Sequence, residues 1–192
     1  MKWSLGGVIL LMLCTSCNDE NSSATVTNNN GDTVKPAFFP VTDFLNGQLS
    51  EIRTIGINPL KIVHIKERYD SSWIKIEQLQ DEFRMFLEPL IDSSNMARMF
   101  TEKSFLDQTI NAVTFTYDPS KQLPDSFSLK HWDVYVDPQK NTVTRIYMLK
   151  KQDRKIFQLT WQAGKWCKIV TISPTVNGTD AIEQEVTIKW DF

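Results

Sequence analysis

The sequence predicts an α+β domain, in which two longer helices and one short helix pack on a curved antiparallel sheet of six to seven strands. Two observations support this class. Apolar side chains recur at helical spacing in the first half of the chain, and from Thr109 onward the period changes to two. Helices that precede a run of antiparallel strands are typical of α+β folds, with the helices on one face of the sheet.

Three helices account for the first half of the domain. The first spans residues 41–55; Thr42 or Asp43 is expected to cap its start, and Gly56 ends it. The second spans residues 76–88, because Pro89 disfavours helical geometry at the residue before it. A short third helix begins at residues 93–94 and runs through Met96 to Phe100. Between the first two helices, residues 60–69 are expected to form one strand and residues 69–72 a turn.

The second half is predicted to be a succession of strands. They are assigned to residues 110–117, 131–136, 142–149, 155–161, 165–172 and the segment that ends at residue 192. We expect a three-residue bulged turn at Gly164, which places Cys167 on the face of Trp161. A two-residue turn would place Trp166 there instead, because one step of register reverses the face.

The last strand has the clearest alternation. One parity is apolar except for Gln184, and the other parity is polar or charged. The apolar set, predicted to be buried, is Ile182, Val186, Ile188, Trp190 and Phe192. This order of helices and strands resembles nuclear transport factor 2-like and cystatin-like domains in coarse architecture, a resemblance that carries no functional residues.

The N-terminus is predicted to be a targeting segment. Lys2 precedes a short apolar stretch, residues 5–13, and Cys14-Thr15-Ser16-Cys17 follows. These four residues resemble the lipobox of bacterial lipoproteins, although Cys14 stands where leucine is usual. The resemblance implies a signal peptide over residues 1–16 and a lipidated Cys17; the alternative is an ordinary cleaved signal peptide.

The remaining organisation follows from composition. Residues 17–37 are predicted to be the lipidated cysteine and a flexible polar tether, and residues 38–192 a single domain. Asn18-Asp19-Glu20 resembles the acidic signal that sends some lipoproteins to the outer membrane surface. We therefore expect a location in the bacterial cell envelope, with the lipid as the membrane anchor. A net charge of −2 argues against nucleic acid as a partner.

Few residues suggest chemistry. The chain has two histidines and no HExxH, Walker or GxSxG motif, so no catalytic residue, metal or cofactor is predicted. His131, Asp133 and Tyr135 share one strand face and are the candidate ligand-binding residues. Cys167 is the lone cysteine of the domain and is expected to be buried, although a Cys167–His131 dyad stays open.

Two functions follow as hypotheses. The first is a membrane-anchored envelope lipoprotein, leaning non-catalytic, whose domain binds a small ligand, a glycan or an envelope protein. The second is a small hydrolase with its site between the helices and the sheet.

Overall fold

The structure is a computed structural model that describes residues 38–175 and 177–191. The predictions about the signal peptide, Cys17 and the tether, and the side chain of Phe192, lie outside the described residues. The helices are α1 (Val41–Ile55), α2 (Leu79–Glu82, preceded by a 3-10 turn over Ile76–Gln78), α3 (Arg84–Leu87) and α4 (Ser93–Met96). The strands are β1 (Leu60–Ile65), β2 (Arg68–Trp73), β3 (Phe100–Asp107), β4 (Ala112–Pro119), β5 (Leu129–Asp137), β6 (Thr142–Gln152), β7 (Lys155–Gln162), β8 (Trp166–Pro174) and β9 (Asp180–Lys189).

The nine strands form one antiparallel sheet in the order β2-β1-β9-β8-β7-β6-β5-β4-β3. Every pair of neighbours is also consecutive in the chain except β9 and β1, which brings the last strand beside the first. The two edges are therefore β2 and β3, each of which follows or precedes its single neighbour through a short turn.

The predicted fold class is wrong. Of the described residues, 49% lie in strands and 20% in helices, so the protein is mostly sheet and not an α+β fold with two long helices. The expected resemblance to nuclear transport factor 2-like and cystatin-like architecture depended on that fold class and is therefore wrong as well. The error lies in the second and third helices and in two strands that the apolar pattern did not predict.

The second predicted helix is broken into short turns. Phe83 leaves helical geometry at φ −98° and ψ 6°, so α2 and α3 are each four residues long. The third helix ends at Met96, and Phe100 begins β3. Both segments carry apolar side chains at helical spacing because short turns present the same face to a core, so the spacing does not measure helix length.

The first helix has the predicted bounds, Val41–Ile55, and Gly56 ends it in the left-handed region at φ 75°. The predicted cap is not formed, because Pro40 occupies the cap position without a side-chain bond. Thr42 is buried, and its hydroxyl accepts a hydrogen bond of 2.9 Å from the backbone N–H of Ile91. Thr42 therefore joins α1 to the segment after α3.

The helices cover one side of the sheet, which we call the inner face; the other side is the outer face. The ring of Trp161 on β7 lies 5.2 Å from Phe83 and 5.3 Å from Phe86, between centroids. Further along, Trp132 on β5 stacks on Tyr117 at 4.5 Å. These aromatic side chains are fully buried, and they form a single core with the apolar side of α1.

The turn at Gly164 has the predicted three-residue form. Gln162 pairs with Trp166, and Gly164 adopts φ 69°. Trp161 consequently pairs with Cys167 and Leu159 with Ile169, all on the inner face. The predicted burial of Cys167 is confirmed.

The last strand is half-buried along part of its length. Ile188 is 1% exposed and Trp190 is 7% exposed, whereas Lys189 points outward. Ile182 is 59% exposed, so its predicted burial is wrong. The register between β8 and β9 shifts at Thr171 and Ile172, and such a shift changes which residues face the core.

No helix among the described residues is long and apolar enough to cross a membrane.

Candidate functional site

The candidate site lies on the outer face of the sheet. On β5, Trp132 and Val134 are fully buried in the core, so the alternate residues face away from it. The structure therefore places His131, Asp133 and Tyr135, the three residues selected from the sequence, together on the outer face.

His131 lies between two carboxylates. Its Nδ1 is 2.8 Å from Oδ1 of Asp118 at the end of β4, and its Nε2 is 3.1 Å from Oδ2 of Asp133. The side chain of Asp118 is 45% exposed, and that of Asp133 is 13% exposed. Both ring nitrogens of His131 thus have acidic partners, which fixes the orientation of the imidazole.

Asp133 is the centre of this hydrogen-bonded group. The hydroxyl of Thr116 donates to its Oδ1 at 2.7 Å, and the hydroxyl of Tyr135 lies 3.4 Å from its Oδ2. The Arg145 guanidinium sits 4.0 Å from the centroid of the Tyr135 ring, a cation–π contact between β6 and β5. We name these residues the outer-face cluster: Thr116, Asp118, His131, Asp133, Tyr135, Arg145 and Tyr147.

The contacts within the cluster favour the charged forms of His131 and Asp133. The hydrogen bond to Asp133 raises the pKa of His131 above its ordinary value; burial opposes this, and Asp118 adds to it. Burial pushes the pKa of Asp133 upward, but the hydrogen bonds from His131, Thr116 and Tyr135 outweigh it and leave that pKa below its ordinary value. Burial also raises the pKa values of Tyr135 and Tyr147, with Asp133 as the next cause. The phenols are therefore neutral hydrogen-bond donors at neutral pH.

This arrangement suits binding more than catalysis. Asp133 already accepts three hydrogen bonds, so it positions its neighbours. Tyr135 donates its hydroxyl proton to Asp133 and carries Arg145 on its ring, so Asp118, Tyr147 and Arg145 are the members left to meet a ligand from solvent. They combine an acceptor, one phenol donor with its aromatic ring, and a cation. Within residues 38–175 and 177–191, no three His, Cys, Asp or Glu side chains are placed to hold a metal ion.

A second polar group occupies the same face near the other edge. The ring of His64 on β1 stacks on Tyr69 of β2 at 4.1 Å, with 4° between the ring planes. Glu185 on β9 lies 4.0 Å from Nδ1 of His64 and 3.0 Å from Nζ of Lys168. Both histidines of the chain therefore lie on the outer face beside carboxylates.

The structure separates the two members of the Cys167–His131 dyad. Cys167 points into the core beside Trp161, while His131 is on the opposite face of the sheet. Burial raises the pKa of the Cys167 thiol well above its ordinary value, so the reactive thiolate is disfavoured.

A pocket on the inner side contains a residue that the sequence analysis missed. Lys150 on β6 is 3% exposed, and its ammonium donates to the backbone carbonyls of Met85 and Glu88 at the end of α3. It lines a pocket of about 520 Å³. The alternation of β6 could have identified it, because Lys150 has the same parity as the buried Ile146 and Met148. The strand was predicted to end at residue 149, one residue too early to include Lys150. Asp118 was likewise assigned to a turn, although it ends β4.

No family model, no curated protein and no solved structure matches this chain.

Proposed function

We propose that this chain is a lipid-anchored binding protein of the bacterial cell envelope, and that it binds a glycan through the outer-face cluster. The observation that carries the proposal is the cluster itself: a hydrogen-bonded set of half-exposed polar and aromatic side chains on β4, β5 and β6, on the sheet face that the described helices leave open. The anchor is supported by the lipobox-like residues that end at Cys17.

The chemistry of the cluster matches a sugar ring. Sugar hydroxyls donate to carboxylates, and Asp118 is a carboxylate whose side chain is 45% exposed. The apolar C–H face of a pyranose packs on an aromatic ring, and Tyr147 offers a half-buried ring at the surface. Asp133 and His131 keep these groups in place, so little side-chain entropy is lost on binding.

A lipid at Cys17 would hold the domain at a membrane. Each methylene of a buried acyl chain contributes about 0.8 kcal/mol, so several chains on one cysteine anchor a protein stably. The acidic residues Asp19 and Glu20 after Asn18 support the outer membrane as the site, and a polar tether would let the sheet reach polysaccharide away from the bilayer.

The binding half is tested with a glycan library and the full-length chain in detergent. Asp118→Asn removes a ligand contact, and Asp133→Asn weakens the framework that orients it. We expect each to lower the affinity for the selected glycan about tenfold, the loss of roughly one charge-assisted hydrogen bond. Glu51→Gln, an exposed carboxylate change on α1, is the matched control and should leave the affinity unchanged.

Two outcomes contradict the binding proposal: no glycan of the library binds at millimolar concentration, or a glycan binds equally well to the wild type and both aspartate variants. The second outcome would place glycan recognition elsewhere on the surface.

The anchor is tested separately. Cys17→Ser should move the protein from the membrane to the soluble fraction, and mass spectrometry of the mature N-terminus should find an acylated Cys17. An unmodified residue other than Cys17 at the mature N-terminus would refute the anchor and leave the glycan site untouched. The hydrolase alternative stays a prediction.

A further inference from the structure

Lys150 is an unusual residue for a protein interior. It lies on the inner face of β6, opposite Leu129 on β5, and it is 3% exposed. Lysine is almost never buried to this extent without partners, because an ammonium loses its hydration in the interior. The described structure provides two partners, the backbone carbonyls of Met85 and Glu88.

These two contacts have a structural role. The carbonyls at the end of a helix lack partners within the helix, and a cation there satisfies them. Met85 lies within α3 and Glu88 directly follows it. Lys150 therefore fastens α3 to β6, and its nitrogen is fixed in position by two hydrogen bonds.

The fixed nitrogen lies beside a pocket. The pocket encloses about 520 Å³, large enough for a small organic molecule. Among its lining residues, Arg84 and Glu88 carry the charges besides Lys150, whereas Pro89, Ser128 and Gln152 are neutral. Arg84 is paired with Asp81 at 2.5 Å, and Lys150 is the amine among the described residues that line the pocket.

Burial also changes the protonation of this amine. Loss of hydration lowers the pKa of Lys150 from 10.5 to about 8, although the charge of Glu88 acts in the opposite direction. At pH 7.5 roughly a quarter of such an amine is neutral, whereas an ordinary lysine is neutral in only about one molecule in a thousand. A neutral amine is the form that attacks a carbonyl carbon.

We propose that the Lys150 pocket binds a small aldehyde covalently, as a Schiff base on Nζ. The lone pair of the amine attacks the aldehyde carbon and forms a carbinolamine. Loss of one water molecule, which carries away the carbonyl oxygen, then gives the imine. No oxidant or reductant is required, and hydrolysis reverses the step.

The hydrogen bonds favour this reaction geometrically. A neutral amine has two N–H groups and one lone pair. When both N–H groups donate to the carbonyls of Met85 and Glu88, the lone pair takes the remaining tetrahedral direction and is not used in either hydrogen bond. A protonated imine retains one N–H, which keeps one of these two hydrogen bonds.

The experiment treats the full-length chain in detergent with propionaldehyde and sodium cyanoborohydride, which reduces an imine to a stable propylamine. Peptide mass spectrometry then gives the rate of propylation at each lysine. At pH 7.5 we expect Lys150 to react about tenfold faster than its exposed neighbour Lys151, and the rate at Lys150 to have its midpoint near pH 8. A rate at Lys150 equal to or below that at Lys151, or a midpoint near 10.5, overturns the proposal.

Variants locate the reactive amine. Lys150→Met keeps an unbranched side chain that is one atom shorter and should abolish the fast phase, while Lys151→Met is the matched control and should retain it. If Lys150→Met does not fold, the two rates in the wild-type chain still decide the question. The site lies across the sheet from the outer-face cluster, so its failure would leave the proposed glycan site untouched.

Discussion

Interior strands and edge strands of this sheet differ in how their residues are buried. On β5, an interior strand, Trp132 and Val134 are fully buried and Asp133 between them is half-buried. On β2, at one edge, all six residues are exposed. Alternation arises where the core covers one face of a strand, and nothing in residues 38–175 and 177–191 buries either face of β2. The pattern that identifies a strand is therefore a property of its surroundings as much as of its own residues.

Aromatic residues also differ in burial between the interior strands and the edge strands. Trp161, in the middle, is fully buried and touches Phe83 and Phe86 of the helical layer. At the edges, Tyr69 is 72% exposed and Phe105 is 53% exposed. An aromatic side chain thus contributes to the core in one region and forms surface in the other.

The largest expected effect is at the middle of the sheet. Trp161→Ala should lower the free energy of unfolding by about 3–5 kcal/mol, because it leaves a cavity where three aromatic rings meet. Phe105→Ala, the control at the edge, should cost about 0.5 kcal/mol. Urea unfolding of both variants measures the difference, and equal losses would contradict the assignment of the core.

The next effect tests β9, which lies between β8 and β1. Ile188→Ala should cost about 2–5 kcal/mol, since its side chain is 1% exposed and packs beside Cys167. Its neighbour Lys189 faces outward, so Lys189→Ala should stay within about 0.5 kcal/mol. Denaturant unfolding of this adjacent pair compares the two faces of one strand; a small loss for Ile188→Ala would mean that β9 is not half-buried.

The sequence predicts the middle of the fold and misses its edges, for a physical reason. All six strands assigned from period two, β4 to β9, are present, as are α1 and the bulged turn at Gly164. The two strands that were missed, β2 and β3, are the two edges. Charged residues such as Arg68 and Asp70 break any apolar alternation there, because an edge strand needs little burial and charge discourages aggregation.

Only part of the candidate site could be predicted, because some of its contacts are local in sequence and others depend on strand register. His131, Asp133 and Tyr135 lie two residues apart on one strand, so their shared face follows from the sequence. Asp118 reaches His131 from β4, and that pairing depends on the register between strands, which local sequence does not specify. Lys150 was missed because the strand was predicted to end at residue 149, whereas β6 continues to Gln152.

The outer face should show a pH effect of intermediate size. The pKa of His131 is raised in the folded state, so its contribution is full below about pH 6.5 and is lost as pH rises through the folded-state value. The pKa of Asp133 is lowered, so its contribution is present above about pH 4 and is lost as pH falls. The stabilisation should therefore be largest between about pH 4 and pH 6.5.

This window is measured as the difference in unfolding free energy between the wild type and His131→Gln. We expect a difference of about 1 kcal/mol at pH 5.5, since the hydrogen bonds to charged partners are partly screened by solvent. The difference should shrink toward pH 9. Lys103→Gln removes a basic side chain from edge strand β3 and should leave the shape of the profile unchanged. A difference that grows with pH would contradict the assigned direction of the His131 shift.

The smallest expected effect is at the edge strand β2. Tyr69→Ala removes a ring that is 72% exposed, so little apolar surface returns to water. The ring does stack on His64 at 4.1 Å, and an aromatic pair of this kind contributes about 0.5–1 kcal/mol. We therefore expect urea unfolding to show a loss of about 0.5–1 kcal/mol, with Arg68→Ala as a control near zero. A loss close to that of Trp161→Ala would mean that β2 is covered in solution, and unfolding midpoints that rise with protein concentration would identify a second copy of this chain as the cover.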